Sequence, residues 1–416
     1  MNPNLISVDE ALERLLAGAA ALADTEIVPT LAASGRVLAA AQRSGMDVPP
    51  MDNSAMDGYA VRTADVAAPG ARLRVAQRIA AGSVGHALEP GTAARIFTGA
   101  PIPPGADAVV MQEQCEVQRE VGGDSVTIKV KPKADEWIRR TGSDIRKGEV
   151  ILPAGRKLQP QDCGLAASVG IASLAVMRRV RLGLFFTGDE LVMPGDALAP
   201  GRIYNSNRFT LNGLAHAFDC EVRDYGIVPD NLEATRAALR RAAAECDLIV
   251  TSGGVSVGEA DFVKPAVEAE GELLLWRIAM KPGRPLAFGK VRDSSAAGRA
   301  SSRTSSFIGL PGNPVASFVT FLWFVRPFLL RLQGVAEVAP RVSAARADFD
   351  WTEPDARREF LRARWNDQGG LDLYPTQDSA VMSSTVWADG LIDNPPGVAI
   401  RRGDSVRFVS FRDLFA

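Results

Sequence analysis

The strongest constraint on the fold is the alternation of apolar strand-length runs with helical patterns from Arg181 onward. We predict strands over 181–186, 221–228, 247–251, 273–278, 286–291 and 306–310, and helices over 207–218, 231–245 and 262–270. Such alternation predicts an α/β domain with a doubly wound, mostly parallel sheet and right-handed crossovers. Asn313 and Pro314 then begin a long helix reaching Gly334, which Pro327 should kink or end early.

The 416 residues are too many for one hydrophobic core, so several domains are expected. Residues 1–45 and 142–179 are predicted to form an N-terminal linker domain, in which Ser7 and Glu10 make a capping box. A β-rich domain is inserted at 46–141, the α/β domain covers 180–334, and a small C-terminal β domain covers 335–416. The strands of this last domain are predicted at 359–365, 371–374, 398–401 and 405–411.

Composition excludes several classes of protein. A net charge of −2 argues against a general nucleic-acid surface. Four separated cysteines and two histidines signal no disulfide framework, zinc site or His-dependent triad. The N-terminus lacks a signal-peptide pattern, and the apolar stretch 315–330 contains Arg326 and Pro327 and is short for a membrane span. We therefore expect a cytoplasmic protein with no membrane or nucleic-acid partner.

Carboxylates follow predicted strands where a doubly wound sheet binds its ligands. Asp189 and Glu190 follow the first strand, Asp230 follows the second and Asp261 follows the third. Carboxylate oxygens are hard ligands suited to Mg²⁺, so this arrangement favours a magnesium and polyphosphate site. The alternative is that these are ordinary solvated loop residues.

Small-residue loops lie beside these carboxylates. The Ser/Gly loop 251–261 offers backbone N–H groups to an anion, and Lys281 and Arg284 supply positive charge about twenty residues later. The turn 309–314 could hold a phosphate at its helix N-terminus or be only a capped turn. Loops 49–60 and 98–107 have the composition of binding loops, although the second could be purely architectural.

Together these segments resemble one family, the molybdopterin molybdenumtransferases, whose eukaryotic relatives include the E domain of gephyrin. The resemblance runs nearly end to end. It rests on motifs in the same order, at 52–59, 95–100 with 108–113, 142–145, 187–191, 252–261, 281–283 and 309–314.

The resemblance implies the last step of molybdenum cofactor synthesis, in which adenylylated molybdopterin is cleaved with release of AMP and molybdate is ligated. It implies Mg²⁺ on Glu190, Asp230 and Asp261, and molybdate on Lys281, Arg362 and Ser379. It also implies four subdomains and an elongated homodimer, with Asp57, Thr98 and Asp144 coming from the partner chain. The remaining binding residues that it implies are Ser252, Gly253, Gly254, Ser256, Gly258, Pro282, Gly283, Arg284, Pro285, Pro311, Gly312 and Asn313.

The sequence departs from the family's pattern at two places, and two alternative functions remain open. Arg277 and Arg284 stand where the family often has lysine; arginine keeps the charge but not a compact ammonium. The low-complexity segment 293–305 looks like an added loop. The alternatives are the adenylyltransferase of the same pathway, which shares the α/β domain, and a non-catalytic gephyrin-like scaffold. The pathway adenylyltransferase and apo-molybdoenzymes are further candidate partners.

Overall fold

The structure is a computed structural model that describes residues 5–119, 121–254, 262–283, 285–293 and 304–415. The elements of the first 180 residues are, in chain order, α1 (Val8–Ala17), β1 (Thr25–Pro29), β2 (Gln42–Arg43), β3 (Asn53–Ser54), β4 (Gly58–Val61), β5 (Ala71–Ile79), β6 (Thr92–Ile96), β7 (Ala108–Met111), β8 (Cys115–Gln118), β9 (Ser125–Ile128), β10 (Ile138–Arg139), β11 (Val150–Leu152), α2 (Pro160–Ser168) and β12 (Ser173–Met177).

The central part of the chain continues with β13 (Arg181–Thr187), β14 (Leu191–Val192), β15 (Ile203–Tyr204), α3 (Ser206–Ala217), β16 (Glu221–Val228), α4 (Leu232–Glu245), β17 (Leu248–Ser252), α5 (Val263–Glu270), β18 (Gly271–Arg277), β19 (Met280–Lys281), β20 (Pro285–Arg292), β21 (Thr304–Leu310), α6 (Pro314–Thr320) and α7 (Arg326–Leu332). The last part has β22 (Ser343–Arg346), β23 (Arg358–Trp365), β24 (Leu371–Leu373), α8 (Ser383–Trp387), β25 (Gly390–Asn394), β26 (Ser405–Ser410) and α9 (Phe411–Phe415).

The α/β sheet has the strand order β16-β13-β17-β21-β20-β18. Strands β16, β13, β17 and β21 are parallel, which confirms the prediction of a mostly parallel sheet. Strand β20 runs antiparallel to both of its neighbours, contrary to a purely parallel sheet. The lengths of the connections explain this direction. Seven residues separate β18 from β20 and eleven separate β20 from β21, whereas a parallel pair needs a crossover of about a dozen residues or more.

The N-terminal part of the chain is built around an inserted β sheet. Strand β1 pairs with β12, and β2 pairs with β11, so segments on either side of the insertion are joined. The inserted sheet has the order β7-β4-β6-β5-β9-β8. At the start of α1, the Ser7 hydroxyl accepts the Glu10 N–H at 3.1 Å, as predicted, whereas the Glu10 carboxylate binds Arg14 at 2.5 Å. The domain limits drawn from the sequence stay predictions.

The C-terminal sheet has the order β19-β23-β25-β26-β22, with β24 also paired to β23. The predicted strand at 398–401 is wrong. Within that segment only Ile400 makes a bridge, to Trp351, because the Pro395-Pro396-Gly397 turn, with Gly397 at φ 70°, occupies the preceding residues. The strand is instead β25, which the sequence analysis missed because its buried residues include Asp393 and Asn394.

A continuous helix crosses the centre of the molecule. Residues Pro314–Leu332 are long and apolar enough to span a membrane, but 94% of that window is buried inside the protein. Pro327 does not end this helix, which was one of the two effects predicted for it. Just before it, Phe321–Val325 adopt a π-helical pattern, and such a widened turn accommodates a proline that lacks an N–H and crowds the carbonyl four residues earlier. We call this whole segment the core helix.

The core helix packs against α1, the α/β sheet and the C-terminal sheet in one hydrophobic cluster. The cluster contains Leu15 of α1, Leu184 of β13, Phe324 of the core helix and, from the C-terminal part, Phe360 and Val409. The rings of Trp323 and Phe360 lie 4.2 Å apart between centroids. Burial of this kind stabilises the fold by about 25 cal/mol per Å² of apolar surface. The α/β domain and the C-terminal sheet therefore share a core.

Two glycines of the α/β domain give opposite expectations for stability. A Cβ at Gly271 would lie 1.8 Å from the Lys290 carbonyl oxygen in the neighbouring strand, whereas a Cβ on the exposed face of α3 at Gly213 meets nothing within 4 Å. Gly271→Ala should lower the melting temperature. Gly213→Ala should raise stability by about 0.5–1 kcal/mol, because alanine loses less backbone entropy in a helix. Thermal unfolding followed by circular dichroism tests both, and equal shifts in one direction would contradict the strand contact.

Candidate functional site

A cleft of about 460 Å³ opens at the carboxyl ends of β13 and β17. This is where ligands bind in an open α/β sheet. Its lining residues come from β13, β14, β15 and β17, from the loops beside them, from the starts of α3 and α6, and from the C-terminal part of the chain: Phe186, Thr187, Glu190, Leu191, Ile203, Tyr204, Asn205, Ser206, Asn207, Ser252, Gly253, Gly312, Asn313, Pro314 and Ala380. The cleft therefore brings together the strand-end carboxylate, the Ser/Gly loop and the 309–314 turn.

Ser252 is the centre of a buried hydrogen-bond network in the cleft. Its hydroxyl accepts the Asn207 side-chain amide at 2.8 Å and donates to the Pro311 carbonyl at 2.9 Å. Asn207 also donates to the Gly312 carbonyl at 2.7 Å. These bonds fix the loop after β17 against the turn before the core helix, so predicted site residues from two loops share one wall.

The two glycines after Ser252 have backbone conformations that other residues rarely adopt, with φ 96° at Gly253 and 66° at Gly254. A Cβ at Gly253 would lie 2.8 Å from the Thr187 carbonyl oxygen, and one at Gly254 would lie 2.4 Å from the Val263 side chain. Glycine is therefore required for the close approach of this loop to β13 and α5. Ser256, Gly258 and Asp261, predicted from the same loop, lie outside the described residues.

Two of the predicted metal carboxylates lie at neighbouring strand ends. Glu190 lines the cleft, and Asp230 follows β16. Burial raises the pKa of Asp230, and the carboxylates of Asp189 and Glu190 raise it further. Like charges are thus close enough to disfavour ionisation, as expected where a cation is to be bound. Within the described ranges, which omit Asp261, no group of three metal-binding side chains is assembled.

Lys281 lies in β19, and its ammonium is 3.5 Å from Asp355 and 3.4 Å from Glu359. The buried Gly283 follows with φ 107°, and a Cβ there would lie 2.4 Å from the Thr320 hydroxyl of the core helix. Pro282 is also buried, and Pro285 begins β20. Arg284 lies outside the described residues. Lys281 is therefore already engaged by two carboxylates.

Arg362 is a fully buried cation in β23. Its guanidinium donates to the Ser384 hydroxyl and the Phe360 carbonyl, both at 3.2 Å, and to the Asp378 carbonyl at 3.1 Å. Burial lowers its pKa to about 10. Ser379 follows Asp378, and its hydroxyl accepts the Asn313 side-chain amide at 2.8 Å. This contact joins the segment that holds Arg362 to the turn that lines the cleft.

Asp57 and Thr98 are brought together on the inserted sheet. The backbone N–H and the hydroxyl of Thr98 donate to Asp57 at 2.8 and 2.9 Å, and the backbone bond contributes most to lowering the pKa of Asp57. Asp144 lies in a turn, and its backbone N–H donates to the Val48 carbonyl. All three residues are exposed, and none lines the cleft of its own chain.

Sequence analysis missed the asparagines at the start of α3. Asn205 caps the helix by accepting the Arg208 N–H at 3.1 Å. In the described part of the chain its buried Nδ2 has no hydrogen-bond partner, and the residue lines the cleft. Asn207 belongs to the Ser252 network. The run Asn205-Ser206-Asn207 before a helix was the available signal, since it is a typical N-cap sequence.

The fold and this cleft define a class of protein with an α/β ligand-binding domain between two β-containing parts, and family models identify the class. Residues 6–170 match the MoeA N-terminal region (domain I and II), residues 183–331 match a probable molybdopterin binding domain, and residues 344–411 match the MoeA C-terminal region (domain IV).

Relatives that match over most of their length indicate the same family. The chain is 39% identical to molybdopterin molybdenumtransferase of Haemophilus influenzae over 93% of this chain and 94% of the relative. It is 34% identical to that of Bacillus subtilis over 98% and 94%. A crystal structure of the molybdopterin biosynthesis moeA protein from Pyrococcus horikoshii matches with a TM-score of 0.83 and 30% identity, covering 98% of this chain and 100% of that one. The chain belongs to the molybdopterin molybdenumtransferase (MoeA) family and is a transferase of molybdenum cofactor biosynthesis.

The raised pKa of Asp230 predicts a pH-dependent gain from Asp230→Asn. Because folding favours the protonated carboxyl, the ionised form destabilises the folded protein above the raised pKa. The variant should melt at a higher temperature than wild type at pH 7. The gain should shrink as the pH falls through that raised pKa and vanish below the unfolded value of 3.8.

Melting curves in metal-free buffer from pH 3.5 to 7.5 test this expectation. Asp367→Asn, in an exposed turn far along the chain, is the matched control and should change the melting temperature little at any pH. A lower melting temperature for Asp230→Asn at pH 7 would contradict the crowding of carboxylates at this strand end.

Proposed function

We propose that the protein inserts molybdenum from molybdate into adenylylated molybdopterin, with Mg²⁺-dependent cleavage of the pyrophosphate and release of AMP, as the last step of the pathway. The observation that carries this proposal is the bond from Asn313 to Ser379 at 2.8 Å. It joins the cleft at the strand ends to the segment around the buried Arg362. On this proposal, one ligand meets carboxylates at one end of the cleft and the segment around Arg362 at the other.

The residues present fit Mg²⁺. Glu190 and Asp230 are hard oxygen donors, and the raised pKa of Asp230 reflects a crowded negative site that a divalent cation relieves. We assign Glu190, Asp230 and Asp261 as the residues that hold the ion. When bound, it supplies charge neutralisation for the pyrophosphate.

The remaining residues divide the work of binding. The Ser/Gly loop and the Pro311-Gly312-Asn313 turn hold the phosphates and the pterin side of the substrate in the cleft. Arg362, Ser379 and Lys281 hold molybdate, a dianion that needs fixed donors. A molybdate oxygen or water is the attacking group, because a displacement by either needs no covalent intermediate with the enzyme.

We further propose a homodimer in which Asp57, Thr98 and Asp144 complete the partner's site. These residues are exposed on a different sheet from the cleft and do not line the cleft of their own chain. Two hydrogen bonds from Thr98 hold the Asp57 carboxylate in one orientation. In the proposed dimer, each chain presents this carboxylate to the site of its partner.

The reaction is tested by anaerobic incubation with adenylylated molybdopterin, with and without Mg²⁺ and molybdate, while AMP release and activation of an apo-molybdoenzyme are followed. Wild type should release AMP and activate the apo-enzyme only when both ions are present. Glu190→Gln should reduce AMP release at least about 100-fold, because loss of a charge-stabilising group commonly costs this much. Substrate binding without either product would instead support a scaffold, and adenylylation of molybdopterin by ATP would support an adenylyltransferase.

The shared site is tested by complementation between two inactive variants. Asp57→Ala and Glu190→Ala should each be inactive alone. Co-expressed with different tags and purified as a mixed dimer, they should regain about half of wild-type activity, because one of the two sites then has both residues intact. A mixed dimer as inactive as its parents would place Asp57 and Glu190 in the site of one chain, and an Asp57→Ala variant that is active alone would remove Asp57 from the reaction.

A further inference from the structure

Glu359 is a buried carboxylate with a fixed orientation beside Lys281. Its side chain has no exposed surface. One oxygen, Oε2, accepts the Trp351 ring N–H at 2.9 Å and the Asn394 side-chain amide at 3.2 Å. The other, Oε1, is 3.4 Å from the Lys281 ammonium. Two donors therefore hold the carboxylate so that its remaining oxygen faces the lysine.

The second carboxylate near Lys281 is held just as firmly. Asp355 binds the Arg357 guanidinium at 2.8 and 2.7 Å, and this contact holds its pKa well below the usual range. Its oxygen is 3.5 Å from the Lys281 ammonium, and the Trp351 ring lies 5.9 Å from the same group. The flexible lysine stem thus ends in a position defined by rigid neighbours.

The backbone supports the same contact. Lys281 and Glu359 are register partners in the parallel pairing of β19 with β23, so the C-terminal sheet carries both residues. A buried charge without a partner is costly. Among the described residues, Lys281 is the cation that forms an ion pair with Glu359, at 3.4 Å. The carboxylate and the ammonium therefore stabilise each other in one place.

We propose that Glu359 is a positioning residue for the transferase reaction: it acts through Lys281 by holding the ammonium where the oxyanion binds. This inference rests on the proposed molybdate role of Lys281. Glu359 does not itself touch the substrate. It sets the position of the Lys281 ammonium through the 3.4 Å ion pair.

The test is a double-mutant cycle with Glu359→Gln and Lys281→Met. In the presence of Lys281, Glu359→Gln should raise the KM for molybdate about tenfold, with the KM for adenylylated molybdopterin and kcat little changed. In the Lys281→Met background the same substitution should change the KM for molybdate less than about twofold, because the residue through which it acts is gone. Equal effects in both backgrounds, or none in the first, would overturn the proposal.

Asp393→Asn is the matched control. Asp393 is also a buried carboxylate of the C-terminal sheet, but it binds Arg358 and Arg407 and not Lys281. Its loss should lower the melting temperature without a selective change in the KM for molybdate. A selective change in this control would assign the effect to general loosening of the sheet and count against Glu359.

A crystal structure of the Glu359→Gln variant provides a readout that does not depend on activity. The Lys281 ammonium should leave its position between Asp355 and residue 359. If wild type shows no molybdate-dependent AMP release, the proposed function fails, while a displaced Lys281 still supports the positioning role. An undisplaced lysine in this variant would overturn it.

Discussion

The packing of the core helix is the constraint on which the site depends. This one apolar segment is buried by α1, by the α/β sheet and by the C-terminal sheet at once. Strand β23 alternates its side chains, so Phe360 packs in the same core as the helix while Leu361 and Ala363 face a second core within the C-terminal domain. The shared core therefore fixes β23 against the α/β domain, and with it every side chain that β23 presents.

The alternation of β23 also separates two kinds of charge. Arg362 shares the face of Phe360 and reaches the segment around Ser379, whereas Glu359 lies on the opposite face and holds Lys281. A single strand thus places a buried cation beside the segment around Ser379 and a buried carboxylate beside Lys281. A slip of one residue in the register of β23 would exchange these faces, so hydrophobic packing and site electrostatics are specified together.

Sequence patterns predicted the α/β sheet well because its strands are buried apolar runs separated by helices. They failed where tertiary context decides. The antiparallel direction of β20 follows from its short connections to β18 and β21. Strand β25 contains the buried Asp393 and Asn394 in a segment that looks polar in sequence, and the π-helical turn accommodates Pro327. Sequence motifs predicted the residues at the strand ends. No sequence pattern indicated that Glu359 and Asp355 contact Lys281, because these residues are far apart in the chain.

The charged groups at the two ends of the proposed site are both disfavoured by their surroundings, a carboxylate at one end and a guanidinium at the other. Burial and neighbouring carboxylates raise the pKa of Asp230, and burial lowers the pKa of Arg362 to about 10, so within the protein alone each charged form is disfavoured. Such groups cost stability and are retained at functional sites because a ligand of opposite charge recovers that free energy on binding. On the proposed assignment, a cation at Asp230 and an oxyanion at Arg362 would relieve this electrostatic cost at both ends. On the proposed function, a cation that accompanies the pyrophosphate would serve the acidic end and molybdate would serve the basic end, whereas a ligand of a single charge would serve only one of them.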